Sequence, residues 1–303
     1  MAEVLVLGPV TADIAALTDA MPKGNEDAGV KETILRTGGS GYIVKKTFDA
    51  LKQSCGIVFP LGTGVYADSL AEDLAKADIP VKRTTDAING CRYTLVDKQG
   101  YTSLMETEGA QNAWETVSLA KLDLSAYPWI ILDTEILHYC ADEIMALLKT
   151  YDGKLALILN EGGLMLDTDI LSDLIMYDPL IHITDREAYY LSDSEESDEI
   201  IRSLRDLTAD DVVILNQDLS AAVITADDVI PVTAERTPVR DRSGCREVHL
   251  ASYICALLSG LNRRQALRFA CGYARAAAGS YQTVLKENEI NTQRNLLVQA
   301  ILG

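Results

Sequence analysis

The chain is short of positive charge: 27 Lys and Arg stand against 45 Asp and Glu, a formal net charge of −18 over 303 residues. Nucleic acids and acidic membranes are bound chiefly by basic patches, so neither is expected as a partner. Histidine occurs only three times, and the six cysteines, at 55, 91, 140, 245, 255 and 271, form no CxxC pair. That scarcity argues against a zinc-type cluster and for reduced, mostly buried thiols. Cys245 and His249 share a helix face at i, i+4 spacing, yet two ligands are too few for a metal site. No run approaches the roughly 20 uncharged apolar residues of a membrane span. The opening MAEVLVLGPV lacks the basic start and small-residue cleavage site of a secretion signal, so a cytoplasmic protein is expected.

A hydrophobic fraction of 48% can fill a substantial core. Short β-branched segments alternate with stretches of helical period: EVLVLG (3–8) then 43–53, GIVFPLG (56–62) then 69–77, and WIILD (129–133) then 141–150. KLALILN (154–160), LIHIT (180–184), VVILN (212–216) and helices over 247–258 and 263–280 continue the rhythm. Nearly all-apolar strands joined by helices predict a doubly wound, mostly parallel sheet flanked by helices, with ligands at the C-terminal strand ends. The acidic DSEESDE (193–199) reads as a solvated connector and helix start. With no internal repeat or long linker, one α/β domain over 1–303 is expected.

Two segments break the rhythm. CRYTLV (91–96) and YTSLME (101–106) flank Asp97-Lys98-Gln99-Gly100 as a β-hairpin, and 13–37, with Pro22 and Gly24 in its middle, reads as extended. A small β lid formed by about 13–37 and 91–112 follows. Trp114 and Tyr101 near it, and His138 and His182 beside apolar positions, read as packing residues. GPVTADIA after the first strand lacks GxGxxG, which argues against a dinucleotide-binding oxidoreductase.

The order of these features resembles the PfkB, or ribokinase-like, family of carbohydrate and nucleoside kinases. The motifs that carry the resemblance are GPVTAD at the end of the first strand, a Gly-Gly turn before a helix, the lid hairpin, TDREA at a strand end, and a glycine-led turn into a late helix. PLGTGVYADSL (60–70) and EGAQNAW are similar to a branch known only as sugar kinases. The resemblance implies that Asp13 accepts hydrogen bonds from substrate hydroxyls, as charge-assisted bonds suit. It implies that Gly38 and Gly39 let the backbone approach the sugar. Ile43 stands where the family places an asparagine. Glu187 in TDREA matches the glutamate of the family's Asn-x-x-Glu motif and would organise Mg²⁺ through water, although Thr184 replaces the asparagine. The nucleotide stretch is glycine-free here, LNQDLSA (215–221), with Asn216 and Gln217 in its place.

The family's signature, Asp-Thr-x-Gly-Ala-Gly-Asp, reads here Asp241-Arg242-Ser243-Gly244-Cys245-Arg246-Glu247. By resemblance the amides of Gly244, Cys245 and Arg246 form the anion hole at a helix N-terminus, and Glu247 is the general base in place of aspartate. Arg246 replaces the second glycine and either blocks the phosphate or binds it. On the motif alone, an ordinary loop before an apolar helix is the better explanation of the stretch; the family order and spacing of Asp13, Gly38, Gly39, Glu187 and this turn raise the functional reading. The implied function is ATP- and Mg²⁺-dependent phosphotransfer to a hydroxyl of a small-molecule sugar or nucleoside, by a protein expected to be a homodimer. The alternative is a catalytically impaired relative that retains small-molecule binding.

Overall fold

The computed structural model describes residues 3–194, 196–208, 210–233, 238–282, 284–285 and 289–303. Six apolar segments pair in parallel: β1 (Val4–Leu7), β4 (Cys55–Val58), β7 (Trp129–Asp133), β8 (Lys154–Ile158), β9 (Leu180–Thr184) and β10 (Val212–Leu215). Two short antiparallel strands, β11 (Ala221–Ile224) and β12 (Val229–Val232), extend one edge, so the order is β12-β11-β10-β9-β8-β7-β1-β4. This edge hairpin was not expected from the sequence, because two four-residue runs are too short to show a period. Pro231 is tolerated there because β12 has a free side.

The remaining strands form a second sheet: β2 (Thr11–Thr18), β3 (Val30–Gly38), β5 (Cys91–Val96) and β6 (Thr102–Glu106), ordered β3-β2-β5-β6. It is built from the segments expected as the lid. Its register aligns Arg36, Asp13, Arg92 and Glu106 in one row across the four strands, alternating in charge. Such opposite-charge neighbours on one face stabilise the pairing.

Both faces of the main sheet are covered, which is why its strands are apolar throughout. Val4, Val6 and Ile131 pack towards α1 (Ser40–Ala50), α8 (Cys245–Leu258) and α9 (Arg263–Ala278), while Leu5, Leu7, Ile130 and Leu132 pack towards α3 (Leu137–Leu148). The helices α2 (Gly64–Lys76), α4 (Glu161–Leu164), α5 (Thr168–Ile175), α6 (Asp185–Ser192), α7 (Ser197–Arg205) and α10 (Ile290–Leu302) complete the layers. Among the described residues no helix is long and apolar enough to cross a membrane. Trp114 is 1% exposed and belongs to the core. His182 and His249 are buried side by side, Nε2 to Nδ1 at 2.9 Å, and burial pushes both imidazoles down, His249 to about 3.

Gly39 precedes α1 with φ 88° and ψ 148°, a backbone region open almost only to glycine, and a Cβ there would stand 2.3 Å from the Pro9 carbonyl oxygen. Gly39→Ala is therefore expected to lose about 1–3 kcal/mol from backbone strain, with the Pro9 clash in addition. Urea unfolding checks this; a change below about 0.5 kcal/mol would show that the loop has room to move.

Candidate active site

Helix α8 starts from a tight turn. The Cys245 N–H donates to the Arg242 carbonyl at 3.1 Å, and Gly244 sits in the left-handed region (φ 75°, ψ 0°), as the third residue of a type II turn requires. The Ser243 N–H donates to Asp241 Oδ1 at 2.8 Å, which fixes the approach to the helix. One expectation changes here. The Cys245 amide closes the turn instead of facing an anion, because an i to i+3 turn consumes that donor.

Glu247 lies in the first turn of α8, partly buried. Burial raises its carboxyl above the usual glutamate range; Arg246 pulls it down, and Asp133 pushes it up again. Asp133 ends β7 and is buried, accepting from the Ser40 hydroxyl (2.5 Å), the Glu135 amide (3.0 Å) and Asn160 Nδ2 (3.0 Å). Its carboxyl is also raised, chiefly by burial. Glu135 beside it is raised by burial and by the Asp133 charge.

Asp13 sits on β2, 4% exposed. Its Oδ2 accepts from Arg36 Nε at 2.6 Å and its Oδ1 from the Thr94 hydroxyl at 2.6 Å. Arg36 continues through Nη1 to Asp241 Oδ2 (2.6 Å) and the Tyr281 carbonyl (2.7 Å). One buried guanidinium thus joins the expected substrate carboxylate to the turn that opens α8. Each carboxylate oxygen of Asp13 retains lone-pair capacity for a hydroxyl. Gly38 lies directly across from Thr11 in the β2–β3 ladder, and a Cβ there would sit 3.4 Å from Asp13 Cβ, so the two are neighbours. Arg92 donates from Nε and Nη2 to Glu106 Oε2 (3.0 and 2.7 Å) and is close enough for its charge to act on Glu135 and Glu247.

Glu187 is 2% exposed, and both of its oxygens already accept hydrogen bonds. Oε2 accepts from the Thr184 amide (2.7 Å) and the Thr184 hydroxyl, while Oε1 accepts from Arg246 Nη2 at 2.8 Å. A backbone cap and a guanidinium together leave little for a cation, and the positive charge of Arg246 already stands beside the carboxylate. The Glu187 surroundings therefore do not fit Mg²⁺.

The turn after β10 holds Asn216 and Gln217. Asn216 bonds Ser220 through backbone and side chain, both at 2.8 Å, and Leu219 takes the left-handed conformation (φ 65°) where a glycine would be usual. Arg275 donates to the Asp218 carbonyl. Arg242 reaches the same turn, Nε to the Gln217 carbonyl at 3.2 Å. Its Nη1 donates to the Gln99 carbonyl at the hairpin tip (2.7 Å), and its guanidinium lies 4.5 Å from the centre of the Tyr101 ring. Next to the turn a cleft of about 630 Å³ is lined by Pro238, Arg268, Cys271, Gly272, Arg275 and Gly279, among others. The Arg275 Nε is buried and unpartnered among the described residues. Space and an unused donor fit a nucleotide.

Arg36, Arg92, Glu106 and Asp133 were missed as site residues. Two signals point to them: charged residues inside the lid strands ETILRTG, CRYTLV and YTSLME, and a carboxylate closing the otherwise apolar WIILD at a C-terminal strand end.

A parallel sheet with a second small sheet, and a carboxylate at a glycine-led helix head, define a ribokinase-like protein. The model of the pfkB family carbohydrate kinases matches residues 1–290, and the chain belongs to that family. Over 123 residues, 40% of this chain, it is 28% identical to the uncharacterized sugar kinase YegV of Escherichia coli K12; the match spans 38% of that protein's length. Adenosine kinase from Sinorhizobium meliloti superposes with a TM-score of 0.83 at 14% identity, covering 97% of this chain and 99% of the other. Arabidopsis thaliana ribokinase, solved with ribose and ATP, gives 0.74 at 17% identity over 98% and 99%.

Proposed function

We propose that the protein transfers the γ-phosphoryl group of ATP to a hydroxyl of a sugar or sugar-like small molecule, with Glu247 as general base. The observation that carries this reading is the Asp13–Arg36–Asp241 chain, which brings the expected substrate carboxylate to the turn at the head of α8. Family membership and the ribose- and ATP-bound plant relative support it. Asp13 would accept substrate hydroxyls, and Gly38 and Gly39 would let the backbone lie close to the sugar. The amides at Gly244 and Arg246 would face the transferred group. The cleft by Arg275, which also donates to the Asp218 carbonyl in the turn of Asn216 and Gln217, would hold the nucleotide, which supplies the phosphoryl group when bound. Glu247 would take the proton from the attacking hydroxyl as the bond to phosphorus forms. Mg²⁺ enters this reading as a companion of the polyphosphate, not as a resident of Glu187.

A base must be ionised to work. Because burial holds the Glu247 carboxyl above its ordinary 4.5, kcat/KM is expected to fall as pH drops through a midpoint above that value. A pH profile whose acid limb lies at or below 4.5 would remove Glu247 from the role.

The second reading, an impaired relative that binds small molecules, draws on the Arg246–Glu187 pair and the spent Cys245 amide. Magnesium-dependent ATP consumption across a panel of sugars and nucleosides separates the two. Sugar-stimulated turnover supports the kinase, whereas thermal stabilisation by a sugar with no turnover and none by ATP supports the binder.

A further inference from the structure

A guanidinium occupies the place where a divalent ion would be sought. Arg246 Nη2 is fixed by Glu187, whose side chain is 3% exposed against 21% for the arginine, so the anchor lies on the buried side. Nε and Nη1 of Arg246 make no hydrogen bond to the described residues, and Nη1 with the second Nη2 hydrogen forms a two-donor edge that remains for a ligand. The other guanidinium groups nearby are held elsewhere: Arg36 by Asp13 and Asp241, with its unpartnered Nη2 buried away from solvent, Arg92 by Glu106, and Arg242 by two backbone carbonyls. Glu247 and Asp133 both feel the Arg246 charge. Without that charge, an anion at the head of α8 would meet two carboxyl groups and a buried glutamate.

We propose that Arg246 binds the phosphate directly and that anion binding at this end of the site needs no divalent cation. The proposal rests on the phosphate-handling reading above and deepens it. The edge formed by Nη1 and the remaining Nη2 hydrogen, held in direction by Glu187, suits two oxygens of one phosphate better than a mobile ammonium would. The helix N-terminus adds amide donors of the same sign. Glu187, tied through Thr184 to the start of α6, holds the arginine in place.

The test is calorimetric titration of inorganic pyrophosphate into the full chain, once in EDTA and once in excess Mg²⁺, repeated for Arg246→Met, Arg246→Lys and Glu187→Gln. Wild type is expected to bind with affinities within about twofold in the two buffers. Arg246→Met, which fills similar space without charge, should weaken binding about 10- to 100-fold in both, and Arg246→Lys by less. Glu187→Gln keeps an oxygen for the Arg246 nitrogen and should retain binding in EDTA. Thermal melts confirm that each variant is folded. Binding that appears only with Mg²⁺, an Arg246→Met protein that binds like wild type, or no binding in either buffer would each overturn the proposal. Binding in EDTA by a protein that turns over no sugar would sink the kinase reading and leave this one standing.

Discussion

Glu247→Gln is expected to lower sugar-stimulated ATP turnover by about 100- to 10,000-fold while leaving sugar binding nearly unchanged. The substitution keeps the length and packing of the side chain at the first turn of α8 and removes only the ability to accept a proton. General-base catalysis by a placed carboxylate supplies an acceleration of that size, so the loss falls on kcat and not on KM. The folded state should not suffer. Burial raises the carboxyl, so its charge is costly there, and a neutral amide relieves that cost. The measurements are steady-state ATP consumption with the best sugar and a thermal shift with the same sugar. A variant with wild-type kcat would move the base elsewhere, and Asp133, buried and raised at the end of β7, would be the next residue to replace.

Arg36→Met is expected to cost about 3–5 kcal/mol of folding stability, the largest single loss of stability predicted for this chain. The pairs it breaks are buried: side-chain exposures are 9% for Arg36, 6% for Asp13 and 0% for Asp241. Removing the guanidinium leaves two carboxylates without a counter-charge, and the penalty comes from that abandonment more than from the attraction lost. The double variant Arg36→Met/Asp241→Asn should regain part of the loss, since it removes one of the two stranded charges. Urea unfolding at neutral pH measures both. A loss under about 1 kcal/mol for the single variant would mean that water reaches the pair.

Much of the scaffold was legible before any coordinates. WIILD and LIHIT begin and end where the strands do, because continuous β-branched runs of that length fit only a sheet covered on both faces. The lid strands were legible from the turn chemistry of Asp97 to Gly100. Asp13 and Glu247 were placed by the resemblance alone, and the structure puts the first inside a lid strand and the second in the first turn of α8. What they touch was not legible. Arg246 and Glu187 are separated by 59 residues, and Arg36 and Asp241 by 205, and nothing local marks one as the partner of the other. The Cys245 amide illustrates the same limit at short range: whether it faces a ligand or its own turn depends on a dihedral angle, not on residue type.

Arg242 carries a practical consequence. It grips the tip of one hairpin with one nitrogen and the loop beyond β10 with another, while its charge stands over the Tyr101 ring. Because Arg242 binds main-chain oxygens at both ends, the side chains of 97–100 and 216–219 can be exchanged without breaking the joint so long as the two backbone paths are kept. Only positions 101 and 242 are tied to each other by residue type, so a hairpin graft that replaces the aromatic ring must be matched at 242 and nowhere else.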